Sequence, residues 1–125
     1  MVPGSEKHRI LYVEDNPHVR DIIVMFLERG GHKVETADTG LEAFEKFQGN
    51  RGNYDLIIAD RALPFMTGDE LVLRIKKLNP KLPVIMLSGT ITEDTAPQAD
   101  IVLMKPVTME DLQEAIVKAM RPQAA

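Results

Sequence analysis

Cysteine is absent from the 125 residues, which excludes disulfides, thiolate metal sites and cysteine nucleophiles. Long apolar runs are absent too. Nothing near the start has the extended apolar core of a secretion signal, and no stretch is long enough to cross a bilayer. A positive surplus is missing: 15 Lys and Arg against 19 Asp and Glu leave a net charge of -4. That balance argues against direct nucleic-acid binding and against attachment to an anionic membrane, and it suits a cytoplasmic protein. No Gly-x-Gly-x-x-Gly or P-loop run occurs, and there is no internal repeat or low-complexity segment. What is present is an ordinary globular composition, 44% hydrophobic and 27% charged. The length suits one domain and leaves no room for a second of any size.

Short unbroken apolar runs stand at Ile10–Val13, Leu56–Ala59, Val84–Leu87 and Ile101–Met104. The first two read as strands buried on both faces, as in a parallel sheet, and the last two as the fourth and fifth strands. A further short strand is expected about Lys33 to Thr36. Helical patterns lie between them. Asn16-Pro17 supplies an N-cap and a proline at the first helical position, with Val19, Ile22, Ile23, Phe26 and Leu27 at helical spacing before a Gly30-Gly31 stop. Thr39-Gly40-Leu41-Glu42 has capping-box form and opens a helix with Leu41, Phe44 and Phe47 expected inward. Thr67-Gly68-Asp69-Glu70 opens the next, and Thr108-Met109-Glu110-Asp111 opens the last, with Leu112, Ile116 and Met120 expected inward. Strand–helix alternation implies an α/β fold, a doubly wound five-stranded parallel sheet, and the strand order 2-1-3-4-5 is expected.

In such a sheet the carboxyl ends of the strands share one edge, where ligands bind. Glu14 and Asp15 close the first run and Asp60 closes the third strand. Three carboxylates on one edge repel one another unless a cation joins them, and an oxygen-only set suits a hard ion, Mg2+ before Zn2+. Later strand ends add the Ser88 hydroxyl and the Lys105 ammonium. Together these groups suit the handling of a phosphoryl group.

Val13-Glu14-Asp15-Asn16, Asp60-Arg61-Ala62-Leu63-Pro64, Thr67-Gly68 with Glu70-Leu71, Leu87-Ser88-Gly89 and Lys105-Pro106 follow one another, with the acidic, serine and lysine pieces closing apolar runs. In this order they resemble the receiver domains of two-component response regulators, the flavodoxin-like CheY-like fold, from about Arg9 to about Met120. The organisation expected is a lead-in at 1–8, a receiver domain at 9–121 and a tail at 122–125. The resemblance implies that Asp60 is the phosphoacceptor, taking a phosphoryl group from a histidine kinase or phosphotransfer domain as an aspartyl phosphate. It implies Mg2+ bound by Asp15, Asp60 and the Ala62 main-chain carbonyl, with Glu14 reaching the ion through water. Lys105 would pair with the phosphoryl group through a cis Lys105–Pro106 bond. Ser88 would be the switch hydroxyl. The donor is expected to dock over the first helix, where Pro17, Ile22 and Met25 leave apolar surface. Beyond self-phosphorylation and self-dephosphorylation at Asp60, no enzyme activity is expected.

Two departures from the receiver pattern stand out. Between Gly89 and Ile101 about a dozen residues, with Pro97 among them, leave the fourth helix of the fold short or missing. The aromatic residue that receivers commonly carry three positions before the lysine is Val102 here, with no ring to swing. The usual hydroxyl–aromatic relay is therefore expected to be absent. Ala62 and Thr90 offer no group to orient an attacking water, so a moderate phosphoryl lifetime is expected. His8 and His32 are expected in exposed, polar surroundings and His18 on the solvated first helix. A monomer is expected. The alternative function is a phosphorylation-independent, receiver-like interaction module, favoured by Val102 and the short fourth segment and opposed by the intact acid, hydroxyl and lysine set. A nucleotide or flavin binder is disfavoured because Glu14 and Asp15 would repel an anion.

Overall fold

The computed structural model describes residues 7–49, 53–89 and 99–121. Five strands form one parallel sheet: β1 (Arg9–Val13), β2 (Lys33–Ala37), β3 (Leu56–Asp60), β4 (Val84–Ser88) and β5 (Ile101–Met104), in the order β2-β1-β3-β4-β5. The helices among the described residues are α1 (Pro17–Arg29), α2 (Gly40–Gly49), α3 (Gly68–Leu78) and α4 (Met109–Ala119). Residues 90–98, where the short or missing helix was expected, lie outside the described residues. No described helix is long and apolar enough to cross a membrane.

Burial follows position in the sheet. All five residues of β3 and of β4 are buried, whereas edge strand β5 is only partly covered. Register is set by apolar pairs such as Leu11 with Ile57 and Ile58 with Ile85. Because side chains alternate across a strand, Leu11, Ile57 and Met86 fill a core with α2 and α3, while Ile10, Ile58 and Leu87 fill another with α1 and α4. Each fully buried Ile or Leu contributes about 2 kcal/mol. The apolar start of β3 therefore offsets the cost of ending that strand on a buried carboxylate.

Helix starts are fixed locally. The Asn16 side chain accepts from the amides of His18 and Val19 at 2.9 and 3.2 Å. Thr39, Thr67 and Thr108 hydroxyls accept from Glu42, Glu70 and Asp111 amides at 3.1, 3.2 and 3.0 Å. Such caps are each worth about 1 kcal/mol. Helix α1 ends at Gly30, and Gly31 takes φ 87, a conformation glycine adopts without steric cost.

Two expectations fail. Leu41 is 55% exposed, because α2 packs through Gly40, Ala43, Phe44 and Phe47, an i, i+3, i+4, i+7 set whose first two members are too small to announce a face. A Cβ on Gly40 would meet Met66 at 3.0 Å, so the helix lies close against the loop after β3. His32 is not exposed either: it retains 5% of its surface, stacks on His8 at 5.4 Å and accepts the His8 amide proton at Nδ1, 3.2 Å away. The stacked His8 ring, itself only partly exposed, supplies cover, and Gln113 of α4 reaches the same corner, its side-chain amide donating to the Phe26 carbonyl at 3.0 Å. Met120 is only partly buried at the end of α4, and His18 is exposed.

Candidate functional site

Parallel strands deliver Glu14, Asp60, Ser88 and Lys105 to one edge. The Glu14 amide donates to the Ala37 carbonyl at 3.0 Å, continuing the β1–β2 ladder one residue past β1. Asp60 ends β3 in register with Leu87, and the Lys105 amide donates to the Ser88 carbonyl at 2.8 Å. Ser88 itself is buried at the end of β4. The Lys105–Pro106 bond is cis, as the resemblance implied.

Glu14, Asp15 and Asp60 each offer one carboxylate oxygen, and these oxygens all lie within 4.8 Å of one another. Glu14 and Asp60 are 1% and 6% exposed, whereas Asp15 opens to solvent. The Lys105 ammonium bridges the buried pair, 3.2 Å from Glu14 Oε1 and 3.0 Å from Asp60 Oδ2. The Ala62 amide donates to Asp60 Oδ1 at 3.3 Å. Glu14 is the most fully held of the three acids. Its Oε1 also accepts from the Tyr12 hydroxyl at 3.2 Å, and its Oε2 accepts from the Asn16 amide at 3.2 Å.

The electrostatics follow from this crowding. Burial and then the neighbouring Asp60 charge push the Glu14 carboxyl above the usual range, against the pull of the Asn16 amide and Lys105. Burial alone would lower the Lys105 ammonium, but hydrogen bonds and charge from Asp60 and Glu14 outweigh it and hold Lys105 above an ordinary lysine. One ammonium faces three acids, and the oxygen-only donor set fits a hard divalent cation such as Mg2+, reached through the exposed Asp15.

The loop after β3 is braced at both ends. The Arg61 guanidinium meets Asp69 at 3.0 Å, the Gly68 amide donates to the Arg61 carbonyl at 2.9 Å, and Leu63 and Met66 are buried. A Cβ on Gly68 would lie 2.5 Å from the Asp60 carbonyl oxygen, so only glycine lets α3 start this close to the acid. At the tip Phe65 is 99% exposed with φ 69, in a three-residue turn closed by the Met66 amide on the Pro64 carbonyl at 2.8 Å. On the other side of Lys105, the residues Val19, Ile22, Ile23, Leu87, Pro106 and Val107 line an apolar hollow of about 330 Å³. Ile22 and Met25 of α1 are exposed large hydrophobics, and Pro17 is exposed as well.

Of the expected residues, Glu14, Asp15, Asp60 and Lys105 lie together at this edge, while Ser88 ends the neighbouring strand and Ala62 meets Asp60 through its amide. Thr90 lies outside the described residues. Tyr12 and the Asn16 amide were not foreseen as partners of Glu14. Val102 lies partly buried on the face shared with α2 and α3, beside Met86 in register.

An α/β sheet that gathers acids, a lysine and a serine at its carboxyl edge has the groups suited to handling a phosphoryl group. The family model for the response regulator receiver domain matches residues 10–117, and the chain belongs to that family. Receivers of this family are the phosphoacceptor modules of two-component signalling, where phosphorylation and Mg2+ are general. The response regulator receiver protein CpdR of Brucella abortus is 32% identical over 117 residues, an alignment covering 90% of this chain and 96% of that protein. The transcriptional regulatory protein GlrR of Escherichia coli is 33% identical over 120 residues, but the chain spans only 27% of its length. Among solved structures, the response regulator TrrA of Thermotoga maritima, in complex with Mg2+ and BeF, superposes with a TM-score of 0.82 at 32% identity, covering 89% of this chain and 97% of that one.

Proposed function

We propose that Asp60 is the phosphoacceptor of this receiver and takes its phosphoryl group from a histidine kinase or a phosphotransfer domain. A buried carboxylate with a lysine on one oxygen and a backbone amide on the other carries the reading. In the transfer, an Asp60 carboxylate oxygen bonds to phosphorus as the bond from phosphorus to the donor's imidazole nitrogen breaks. The electron pair stays on the imidazole, and an aspartyl phosphate results. Asp15, Asp60 and the Ala62 carbonyl are the groups assigned to hold Mg2+, with Glu14 acting through water. The ion supplies positive charge for the phosphoryl oxygens. Lys105, already on Asp60, follows the new charge onto the phosphoryl group, and the Ser88 hydroxyl donates to one of its oxygens. The exposed Pro17, Ile22 and Met25 and the apolar hollow beside Lys105 form the surface on which the donor docks.

Val102 favours a second reading, in which the chain works as a phosphorylation-independent binding module. Intact-protein mass after incubation with acetyl phosphate separates the two. A gain of one phosphoryl group that needs both Mg2+ and Asp60, and that vanishes in Asp60→Asn, is the expected result. No gain in folded protein with excess Mg2+ overturns the phosphoacceptor reading in favour of the binding module.

A further inference from the structure

Glu14 lies almost wholly buried at the rim of the sheet, beside the exposed Asp15. Its side chain needs something to hold it in place, and the wall of the sheet provides it. Tyr12 lies within β1 with no exposed surface. Residues two apart in an extended segment project to the same side of a sheet, and the ladder bond from the Glu14 amide keeps this segment extended past Val13. The Tyr12 hydroxyl therefore rises along the same wall and donates to Glu14 Oε1 at 3.2 Å. The ring beneath is fixed by the core that includes Ile23, Leu27, Leu112 and Ile116. A buried phenol with a rigid body and a polar tip is a fixed post.

The other side-chain donor to Glu14 is less dependable. Lys105 shares its ammonium between Glu14 and Asp60, so any new charge on Asp60 competes for it. The Asn16 amide reaches only Oε2. Tyr12 holds Oε1 from the core side of the sheet, where its ring is fixed.

We propose that Tyr12 is a positioning residue for the cation site: its buried hydroxyl pins the Glu14 carboxylate against the acidic cluster and so sets how tightly a divalent cation is held. The proposal rests on the Mg2+ reading above and extends it to a residue outside the acidic set. Groups that orient metal-binding residues from behind typically change metal affinity about 10–100-fold when removed. Glu14 is assigned to act through water, so the low end applies, a weakening of about tenfold.

The test is a Mg2+ titration followed through the backbone amide resonances of Asp60 and Ala62, on the wild-type chain, Tyr12→Phe, Glu14→Asp and the double variant. Phenylalanine keeps the ring in its core and removes only the hydroxyl. Aspartate keeps the acid but draws it back by one methylene, out of reach of Tyr12. The expected result is a dissociation constant raised about tenfold by Tyr12→Phe, with no further change when the same substitution is made on Glu14→Asp. A wild-type affinity in Tyr12→Phe overturns the proposal and leaves the metal reading intact. An equal weakening in the Glu14→Asp background also overturns it, since the effect would then come from the core. If the wild-type amides do not respond to Mg2+ at all, the metal reading falls and the proposal falls with it.

Discussion

Lys105→Met tests the electrostatic logic of the acidic edge most directly. Nζ lies 3.2 Å from Glu14 and 3.0 Å from Asp60, whose side chains are 1% and 8% exposed, while the lysine side chain is 26% exposed. Removing one partner from a fully buried pair costs about 3–5 kcal/mol, because a charge is left stranded. The loss here is smaller. Glu14 keeps the Tyr12 hydroxyl and the Asn16 amide, Asp60 keeps the Ala62 amide, and methionine retains an unbranched apolar stem. A destabilisation of about 2 kcal/mol follows, read from urea unfolding in EDTA. The sign with pH is fixed. Lys105 is held above its ordinary value of 10.5, so its contribution is fully present below that pH and is lost only as pH rises through the raised value. Mg2+ then gives an independent check. On the ligand set proposed above, the ammonium and the cation would share Asp60, so the stabilisation produced by a fixed Mg2+ concentration should be larger in Lys105→Met than in the wild type. A cost below about 0.5 kcal/mol in EDTA, the range of an ordinary surface change, would refute the buried bridge. Equal Mg2+ increments in the two proteins would refute the competition.

Two further outcomes are expected from unfolding measurements. Phe65 is 99% exposed at φ 69, so Phe65→Gly loses no packing. It relieves about 1–3 kcal/mol of strain at the centre of the three-residue turn against about 0.5–1 kcal/mol of added chain freedom, and the variant should be about 1 kcal/mol more stable. A loss of stability would show that the turn is not strained. Burial, and then the neighbouring His8, hold His32 below its ordinary value of 6.5, with Gln113 pulling the other way. The unfolded chain therefore takes up a proton first, and the His32 contribution is present above pH 6.5 and lost as pH falls through the lowered value. His32→Asn keeps an acceptor for the His8 amide and should flatten that part of the stability profile. An unchanged slope would mean that His32 does not report its burial.

Elements with strong local signals were legible, and those made by contacts between distant segments were not. The four apolar runs that end at Val13, Ala59, Leu87 and Met104 appear as β1, β3, β4 and β5, and the caps at Asn16, Thr39, Thr67 and Thr108 fall where the sequence places them. Each depends on neighbours a few residues away. Leu41 was misread because the buried stripe of α2 begins with Gly40 and Ala43, whose small side chains carry little hydropathy yet permit close approach to Met66. His32 was misread because its partners lie far away in the sequence: His8, which stacks on its ring, and Gln113 of α4, some eighty residues further along the chain. The gathering of Glu14, Asp60, Ser88 and Lys105 was legible only once their strands were taken as parallel, since that alone sends all four strand ends to one edge. Tyr12 is the instructive omission. It was counted as one more apolar member of Ile10–Val13, although a tyrosine at full burial needs a partner for its hydroxyl. The strand period of two places the Glu14 acid on the same side, one step nearer the edge. A buried tyrosine two residues before a strand-end acid is thus a readable signal, and it links the core of the sheet to the charge at its rim.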